Sequence, residues 1–155
     1  IAPGARGDGM RKAFTLIELL IVILIISTLA SIAAPQYFKI IERFRVLEAT
    51  TAMMEIKRGE ERVMLKKSAY TNNFQDFDFQ LKDKSGNDCT GKICELRYFI
   101  LEIRLVGNKY MILAQRKSDN ETRPPLRYSN YIYFYDSQTD NFSCTDANCV
   151  NDFID

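Results

Sequence analysis

The sequence contains no histidine among its 155 residues. This absence excludes the Ser-His-Asp and Cys-His groupings of hydrolases and most zinc-hydrolase chemistry, which depend on an imidazole. The chain also lacks an excess of charge of either sign, because 21 basic residues stand against 20 acidic ones. A net charge of +1 therefore gives no general electrostatic reason to expect nucleic acid as the main partner. We predict a protein that is not an enzyme and that carries no cofactor.

Charge is nearly absent from one long stretch, residues 14–34, in which Glu18 is the only ionisable side chain. As a helix this stretch is about 30 Å long, which is enough to span a bilayer. Arg11 and Lys12 precede it and favour a cytoplasmic N-terminus, although basic residues also follow it, so this rule alone does not settle the orientation. The sequence therefore predicts a membrane-spanning segment that contains a costly carboxylate.

Two simple explanations of this segment leave features unexplained. Small residues at 31–34 could form the cleavage site of a secretory signal. The run is longer than the apolar part of such a signal, however, and Pro35 would directly follow the cut. A plain single-span anchor accounts for the length but gives no reason for Glu18, because an isolated span gains nothing from a carboxylate in lipid.

The stretch KAFTLIELL, residues 12–20, resembles the N-terminal signature of type IV pilins and pseudopilins. This resemblance implies that prepilin peptidase cuts a short basic leader between Ala13 and Phe14 and then N-methylates Phe14. Family members usually carry glycine before the cut, where this chain has alanine. Glu18 becomes the fifth residue of the mature chain, where the family keeps a glutamate, and Pro35 matches the family's mid-helix proline. The resemblance covers roughly residues 11–60.

The resemblance also suggests a role for the charge of Glu18. Cleavage would create a new amino group on Phe14, and in a filament the Glu18 carboxylate of one subunit could meet the Phe14 amine of its neighbour. Pairing two buried charges recovers much of the cost of burying each one. Glu18 would then penalise misaligned subunits and set the register of assembly.

The remainder of the helix is predicted from residue composition and spacing. Helix formers continue to about residue 67, so we expect one helix over residues 14–67, kinked at Pro35 because proline lacks an amide hydrogen. Gly59 should weaken it by about 1 kcal/mol relative to alanine. Apolar residues at roughly helical spacing predict a stripe that packs on a sheet: Ile40, Phe44, Leu47, Ala49, Met53, Ile56 and Val63.

A β-hairpin is the clearest local prediction in the second half of the chain. Apolar residues alternate along one strand, at Phe99, Leu101, Ile103 and Leu105, and Gly107-Asn108 is a fitting two-residue turn. The resulting register places three pairs on one face: Leu105 with Tyr110, Ile103 with Ile112, and Leu101 with Ala114. Further strands at 131–136 and around 142–144 complete the predicted α+β fold, a long N-terminal helix packed on a four-stranded antiparallel β-sheet. Residues 69–94, with one short helical turn, and residues 118–130 are expected to be loops.

Four cysteines lie downstream of the apolar run, at Cys89, Cys94, Cys144 and Cys149. In an exported domain an even number of cysteines favours two disulfides over a four-thiolate zinc site. Local pairing of Cys89 with Cys94 and of Cys144 with Cys149 is one of three connectivities that the sequence leaves open.

Two further groups of residues are weaker candidates for a binding site, because ordinary surface roles also explain them. Asp136, Asp140 and Asp146 supply oxygen ligands that could hold calcium, but they lack the glycine and closing glutamate of an EF-hand, and solvated turns explain them as well. A second set of residues could form a basic, aromatic surface for single-stranded nucleic acid: Arg116, Lys117, Arg123, Arg127, Tyr128 and Tyr131. We expect neither a metal site nor nucleic-acid binding.

These observations predict a type IV pilin-like structural subunit that polymerises through its apolar helix. The expected domains are a leader (1–13, of which 1–9 lie upstream of the native start or come from cloning), an assembly helix (14–34), an amphipathic helix half (35–67) and a globular head (68–155). Expected partners are further copies of the chain, prepilin peptidase, the pilus assembly platform, minor pilins and the inner membrane before assembly. The expected location is the inner membrane and then a cell-surface filament. The alternatives are a type II secretion pseudopilin of a periplasmic pseudopilus, and a membrane-anchored periplasmic binding domain.

Overall fold

The computed structural model describes residues 14–154 and has the predicted α+β architecture. A 52-residue helix precedes an antiparallel sheet, and a short helix follows the sheet. The helices and strands are α1 (Leu16–Lys67), β1 (Ile93–Glu95), β2 (Phe99–Val106), β3 (Lys109–Arg116), β4 (Ile132–Asp136), β5 (Asn141–Cys144) and α2 (Ala147–Phe153). Single turns of 3-10 helix lie at Phe74–Asp76 and Leu126–Tyr128. The long helix and the helical turn in residues 69–94 are confirmed.

The sheet has five strands in the order β1-β2-β3-β4-β5, so the prediction of four strands is wrong by one. The additional strand, β1, pairs with β2 along only three residues, within a segment predicted to be a loop. Three residues are too few to show an alternating pattern, so β1 can be identified only from its pairing with β2 in the structure. The predicted register of β2 and β3 is confirmed at all three pairs. Gly107, with a φ of 60°, opens the two-residue turn between these strands.

The buried face of α1 differs from the predicted stripe in its first part. Ala49, Met53, Ile56 and Val63 are buried, as predicted, in one core cluster with the sheet. The residues predicted to precede them in this stripe are instead 54–68% exposed: Ile40, Phe44 and Leu47. The buried face begins with Glu42 and Val46, which precede Ala49 at spacings of four and three residues. The helix thus has two apolar stripes, and the sheet covers the one that contains Glu42.

The inner face of the sheet is also slightly shorter than predicted. Phe99, Leu101 and Ile103 are buried, whereas Leu105 is 44% exposed. Leu105 lies one residue before the end of β2, next to the hairpin turn. The apolar core therefore stops before the end of the hairpin.

Gly59 marks a close approach between α1 and the loop that follows it. A Cβ atom at this position would lie 2.6 Å from the ring of Phe79 and 2.8 Å from the ring of Phe77. These two rings stack with their centroids 5.1 Å apart. Glycine is unfavourable within a helix, but the absence of a Cβ atom at Gly59 allows the two aromatic rings to pack closely against α1.

Both disulfides are local. Cys89 pairs with Cys94 and Cys144 with Cys149, with Cα atoms 5.2 and 5.9 Å apart. The second disulfide joins β5 to α2, a helix that the sequence analysis did not predict. The side chain of Asp146 caps this helix by accepting hydrogen bonds from two backbone N–H groups. Aspartate is a preferred N-cap residue, so its position was a sequence signal for the helix.

The backbone packing divides the chain into two units, with the boundary between Tyr37 and Phe38. In the first unit the described residues, 14–37, have exposed side chains throughout. The second unit contains the remainder of α1, all five strands, both disulfides and the apolar core.

Candidate functional site

The apolar part of α1 before Pro35 is the main candidate functional site. Within the described residues, α1 is long and apolar enough to cross a membrane, and none of its most apolar window is buried. Its large apolar side chains are about half to four-fifths exposed, from Val22 at 50% to Leu16 at 83%. Leaving so much apolar surface in water is unfavourable by about 25 cal/mol per Å². This segment therefore requires an apolar environment, from lipid or from other protein.

The hydroxyl groups in this segment are compatible with such an environment. Ser27 donates to the carbonyl of Ile23 at 2.6 Å, and Thr28 donates to that of Ile25 at 2.8 Å. Ser31 donates to the carbonyl of Thr28 at 2.7 Å. Because each hydroxyl hydrogen bonds within its own helix, none requires a water partner in an apolar surrounding.

Glu18 has a local partner that the sequence analysis missed. Its Oε2 accepts hydrogen bonds from the backbone N–H of Thr15 at 2.9 Å and from the Thr15 hydroxyl at 2.7 Å. The Thr15 hydroxyl also faces the Glu18 N–H at 3.3 Å. This is a capping box at the start of α1, and its sequence signal, threonine followed three residues later by glutamate, was available. Glu18 therefore satisfies donors at the helix start, whatever it does in an assembly.

The remaining predicted residues of this segment are only partly described by the structure. Ala13 and the leader lie outside the described residues, whereas Phe14 is 86% exposed. Pro35 lies inside α1, and the helix continues on both sides of it. Cleavage between Ala13 and Phe14, methylation of Phe14 and a kink at Pro35 remain predictions.

A buried ionic network after this segment joins α1 to the sheet. Glu42 is fully buried and accepts hydrogen bonds at Oε1 from Arg116 Nε at 2.6 Å and from the Tyr131 hydroxyl at 2.8 Å. Its Oε2 accepts from Arg45 Nη1 at 2.9 Å. Burial, with the nearby Glu42 charge, raises the pKa of Tyr131, so its phenol stays protonated and donates. In the sequence, this network is indicated only by Glu42, a charged residue that lies at the four- and three-residue spacing of the buried helix face.

A second network joins α2 to α1 and to the loop before β4. Asp152 Oδ1 is 2.8 Å from Lys39 Nζ, and its Oδ2 accepts from the Tyr128 hydroxyl at 2.6 Å. Arg127 Nη2 lies 3.1 Å from the same oxygen. Although burial raises the pKa of Asp152, hydrogen bonds from Lys39, Tyr128 and Arg127 hold it below its ordinary value. These contacts hold the loop before β4 against α2, and α2 against α1.

The three calcium candidates are engaged separately. Asp136 accepts a backbone N–H two residues later, and Asp146 caps α2. Asp140 Oδ1 lies 2.5 Å from Lys57 Nζ and accepts from the Tyr135 hydroxyl at 2.6 Å. Among residues 14–154, no three acidic or cysteine side chains are grouped as metal ligands. The carboxylates serve turns, a cap and an ion pair.

Of the six residues considered for a basic, aromatic surface, only Arg123 and Arg127 are exposed. The other four, Arg116, Lys117, Tyr128 and Tyr131, are less than 10% exposed, and each makes a hydrogen bond to a carboxylate. Base stacking requires exposed rings, which these residues do not provide.

Comparison with known proteins supports the interpretation of the N-terminal segment. Residues 9–34 match the family model described as the prokaryotic N-terminal methylation motif. Two fimbrial proteins of Pseudomonas aeruginosa are each 35% identical over 86 residues, which cover 53% of this chain and 56% of the relative. The match thus spans about half the length of these curated relatives. No solved structure matches the chain.

The fold and the exposed apolar segment define a class of protein, an α+β head on the C-terminal part of a helix whose N-terminal part requires an apolar environment. The methylation motif and the fimbrial relatives narrow this class. Together these findings show that the chain carries the prokaryotic N-terminal methylation motif and resembles fimbrial proteins over about half of its length.

Proposed function

We propose that this chain is the structural subunit of a type IV pilus-like filament and that it polymerises through its N-terminal apolar helix. The observation that carries the proposal is the exposed apolar surface of residues 14–34, whose large side chains are at least half exposed, in a chain whose head has its own apolar core. Side-by-side packing of these helices in a filament would remove this surface from water. Hydrophobic burial would then supply the cohesion of the assembly.

The proposed subunit begins as an inner-membrane precursor with a single span. Prepilin peptidase cuts it between Ala13 and Phe14 and methylates the new amino group on Phe14. The match to the methylation motif over residues 9–34 supports this step. The mature chain then passes to an assembly platform with minor pilins and ends in a cell-surface filament.

Glu18 has two proposed roles in this cycle. Within a subunit it caps α1 through Thr15. Between subunits its carboxylate pairs with the Phe14 amine of a neighbour and sets the axial register. One carboxylate can do both because it has two oxygens, and the Thr15 N–H and hydroxyl both donate to Oε2.

The proposal is tested by determining the N-terminus of the mature chain. The chain is expressed from Met10 together with a cognate prepilin peptidase, isolated from membranes and analysed by mass spectrometry. The expected product begins at N-methylated Phe14, and the same chain expressed without the peptidase retains Met10. A product that still begins at Met10 in the presence of active peptidase, or that begins near Pro35, would contradict the proposal.

A further inference from the structure

One exposed apolar side chain lies on a loop that is otherwise firmly held. Leu126, in the loop that joins β3 to β4, is 88% exposed. Pro124 and Pro125 directly precede it, and each proline fixes its own φ angle. The Tyr128 side chain, two residues later, is buried and donates a hydrogen bond to Asp152. The loop is therefore a constrained backbone that presents a leucine outward, rather than a mobile segment.

This loop lies beside the first turns of α1 in the second unit. Phe38 and Ile41 line an open groove together with Arg123, the two prolines and Leu126. Phe38 is 48% exposed, so the groove and the loop tip form one continuous apolar patch. We call the patch formed by Phe38, Ile41, Arg123, Leu126 and Arg127 the proline-loop surface.

Three arginines lie in or beside this surface. Arg123 is exposed, and no carboxylate pairs with it among the residues that the structure describes. Arg127 pairs with Asp152, but its side chain is still 56% exposed. Arg45 also lines the groove, and its carboxylate partner, Glu42, is shared with Arg116. An apolar tip flanked by arginines is complementary to a membrane surface, where anionic headgroups lie above acyl chains.

The position of this surface along the chain favours the same partner. Phe38 and Ile41 follow Ala34, the end of the apolar segment, by four and seven residues. Seven residues of helix are about 10 Å long, and even a fully extended chain of that length reaches only about 25 Å. The headgroup region of a bilayer extends several ångströms beyond its hydrocarbon core. When residues 14–34 span a membrane, the proline-loop surface is therefore held within reach of the headgroups.

We propose that the proline-loop surface binds anionic phospholipid headgroups while the chain is a membrane-anchored precursor. Leu126 enters the interface, and Arg123 and Arg127 contact phosphate groups. This contact would be lost when the subunit leaves the bilayer, so it would favour the anchored state over the assembled one. The inference rests on the proposed function only for the insertion of residues 14–34 into a membrane.

The chain offers a direct probe of this contact because it contains no tryptophan. Leu126→Trp places a single indole at the loop tip. A matched control, Leu65→Trp, places one at a position that is 85% exposed and lies 31 residues after Ala34. Each full-length variant is reconstituted at low protein density into vesicles of phosphatidylcholine, with or without phosphatidylglycerol. The fluorescence emission and its quenching by acyl-chain-brominated phosphatidylcholine are measured.

The expected result is a blue-shifted indole at position 126 that brominated lipid quenches, more strongly with phosphatidylglycerol and less strongly at high salt. The indole at position 65 should remain water-exposed and unquenched in both lipids. Adding Arg123→Gln to the Leu126→Trp chain should shift the equilibrium between contact and release about fivefold towards release in anionic vesicles. It should have little effect in neutral vesicles.

Three outcomes would overturn the inference. Equal quenching at positions 126 and 65, or quenching at 126 that ignores phosphatidylglycerol, would show that the surface does not bind anionic lipid. A blue shift without quenching, which grows with the number of copies per vesicle, would assign the surface to a second copy of the chain. Resistance of the chain to alkaline extraction, measured on the same samples, shows that insertion holds, so failure of the surface is distinguished from failure of the proposed function.

Discussion

The buried carboxylate of Glu60 is the least satisfied polar side chain among the described residues. It is fully buried, its Oε1 has no hydrogen-bond partner, and its Oε2 accepts from the backbone N–H of Thr71 at 3.0 Å. Burial raises its pKa from 4.5 to about 7, and the nearby charge of Asp76 acts in the same direction. The folded state therefore binds a proton more tightly than the unfolded state does. This makes Glu60 a source of pH-dependent stability.

The sign of that dependence follows from proton linkage. Because the pKa is higher in the folded state, folding binds a proton between pH 4.5 and about 7, and the free energy of unfolding falls as the pH rises through this window. The cost of burying the charge is absent below the window and complete above it. Replacing Glu60 by an uncharged isostere should remove this cost.

We predict that Glu60→Gln raises the free energy of unfolding by about 1–3 kcal/mol above pH 7, an advantage that shrinks towards zero as the pH is lowered to 4.5. Glutamine can still accept the Thr71 N–H. The measurement is denaturant unfolding across this pH range. Glu61→Gln, at the exposed neighbouring position, is the control and should show no such trend. The same pH profile in both variants would contradict the assignment to Glu60.

At the scale of elements, the contact between α1 and the sheet is partly ionic. The buried face of the helix repeats at spacings of four and three residues: Glu42, Val46, Ala49, Met53, Ile56, Glu60 and Val63. Glu42 therefore occupies a core position and takes its partners from two distant parts of the chain, Arg116 and Tyr131. A buried pair of this kind need not add net stability, but removal of one partner leaves an uncompensated charge. The pair joins the covered stripe of α1 to β3.

We predict that Glu42→Ala lowers the free energy of unfolding of the head by about 3–5 kcal/mol, because Arg116 would remain buried without its carboxylate. The measurement is chemical denaturation of the full chain in detergent, followed by circular dichroism. Glu48→Ala, at an exposed position on the same helix, should change stability by less than about 0.5 kcal/mol. Equal effects of the two substitutions would show that the network is not a structural link.

At the scale of the whole molecule, the proposed filament depends on two features of Glu18 that substitutions can separate. Its oxygen caps α1, and glutamine at this position can also form a capping box. Its negative charge would pair with the Phe14 amine of another subunit. Glutamine is neutral and cannot form this ion pair. Thr15→Ala removes the other half of the cap and leaves the charge.

We predict that Glu18→Gln leaves the head folded but strongly reduces filament yield, whereas Thr15→Ala supports nearly normal filaments. Filaments are counted by electron microscopy, and the head fold is checked by resistance to limited proteolysis. Normal filaments from Glu18→Gln would refute the role of the charge in register. Loss of filaments from Thr15→Ala alone would assign Glu18 to capping only.

The sequence by itself determined the features that depend on neighbours along the chain. The apolar segment was predictable because hydrophobicity and length decide whether a helix suits a membrane. The register of β2 and β3 was predictable because a two-residue turn and a period-two pattern admit one alignment, as the pairing of Ile103 with Ile112 confirms. The capping box of Thr15 and Glu18 and the cap at Asp146 are also local, because each joins residues no more than three positions apart.

Only the tertiary structure decided which surfaces meet. Two apolar stripes follow helical spacing on α1. The sheet covers the stripe with Glu42, which hydrogen bonds to Arg116 in β3 and to Tyr131 just before β4, and leaves Phe44 exposed. The short strand β1 exists because β2 lies beside it, and the cysteine pairing depends on distances that spacing alone does not give. These choices depend on contacts between residues far apart in sequence, whose energies no local pattern contains.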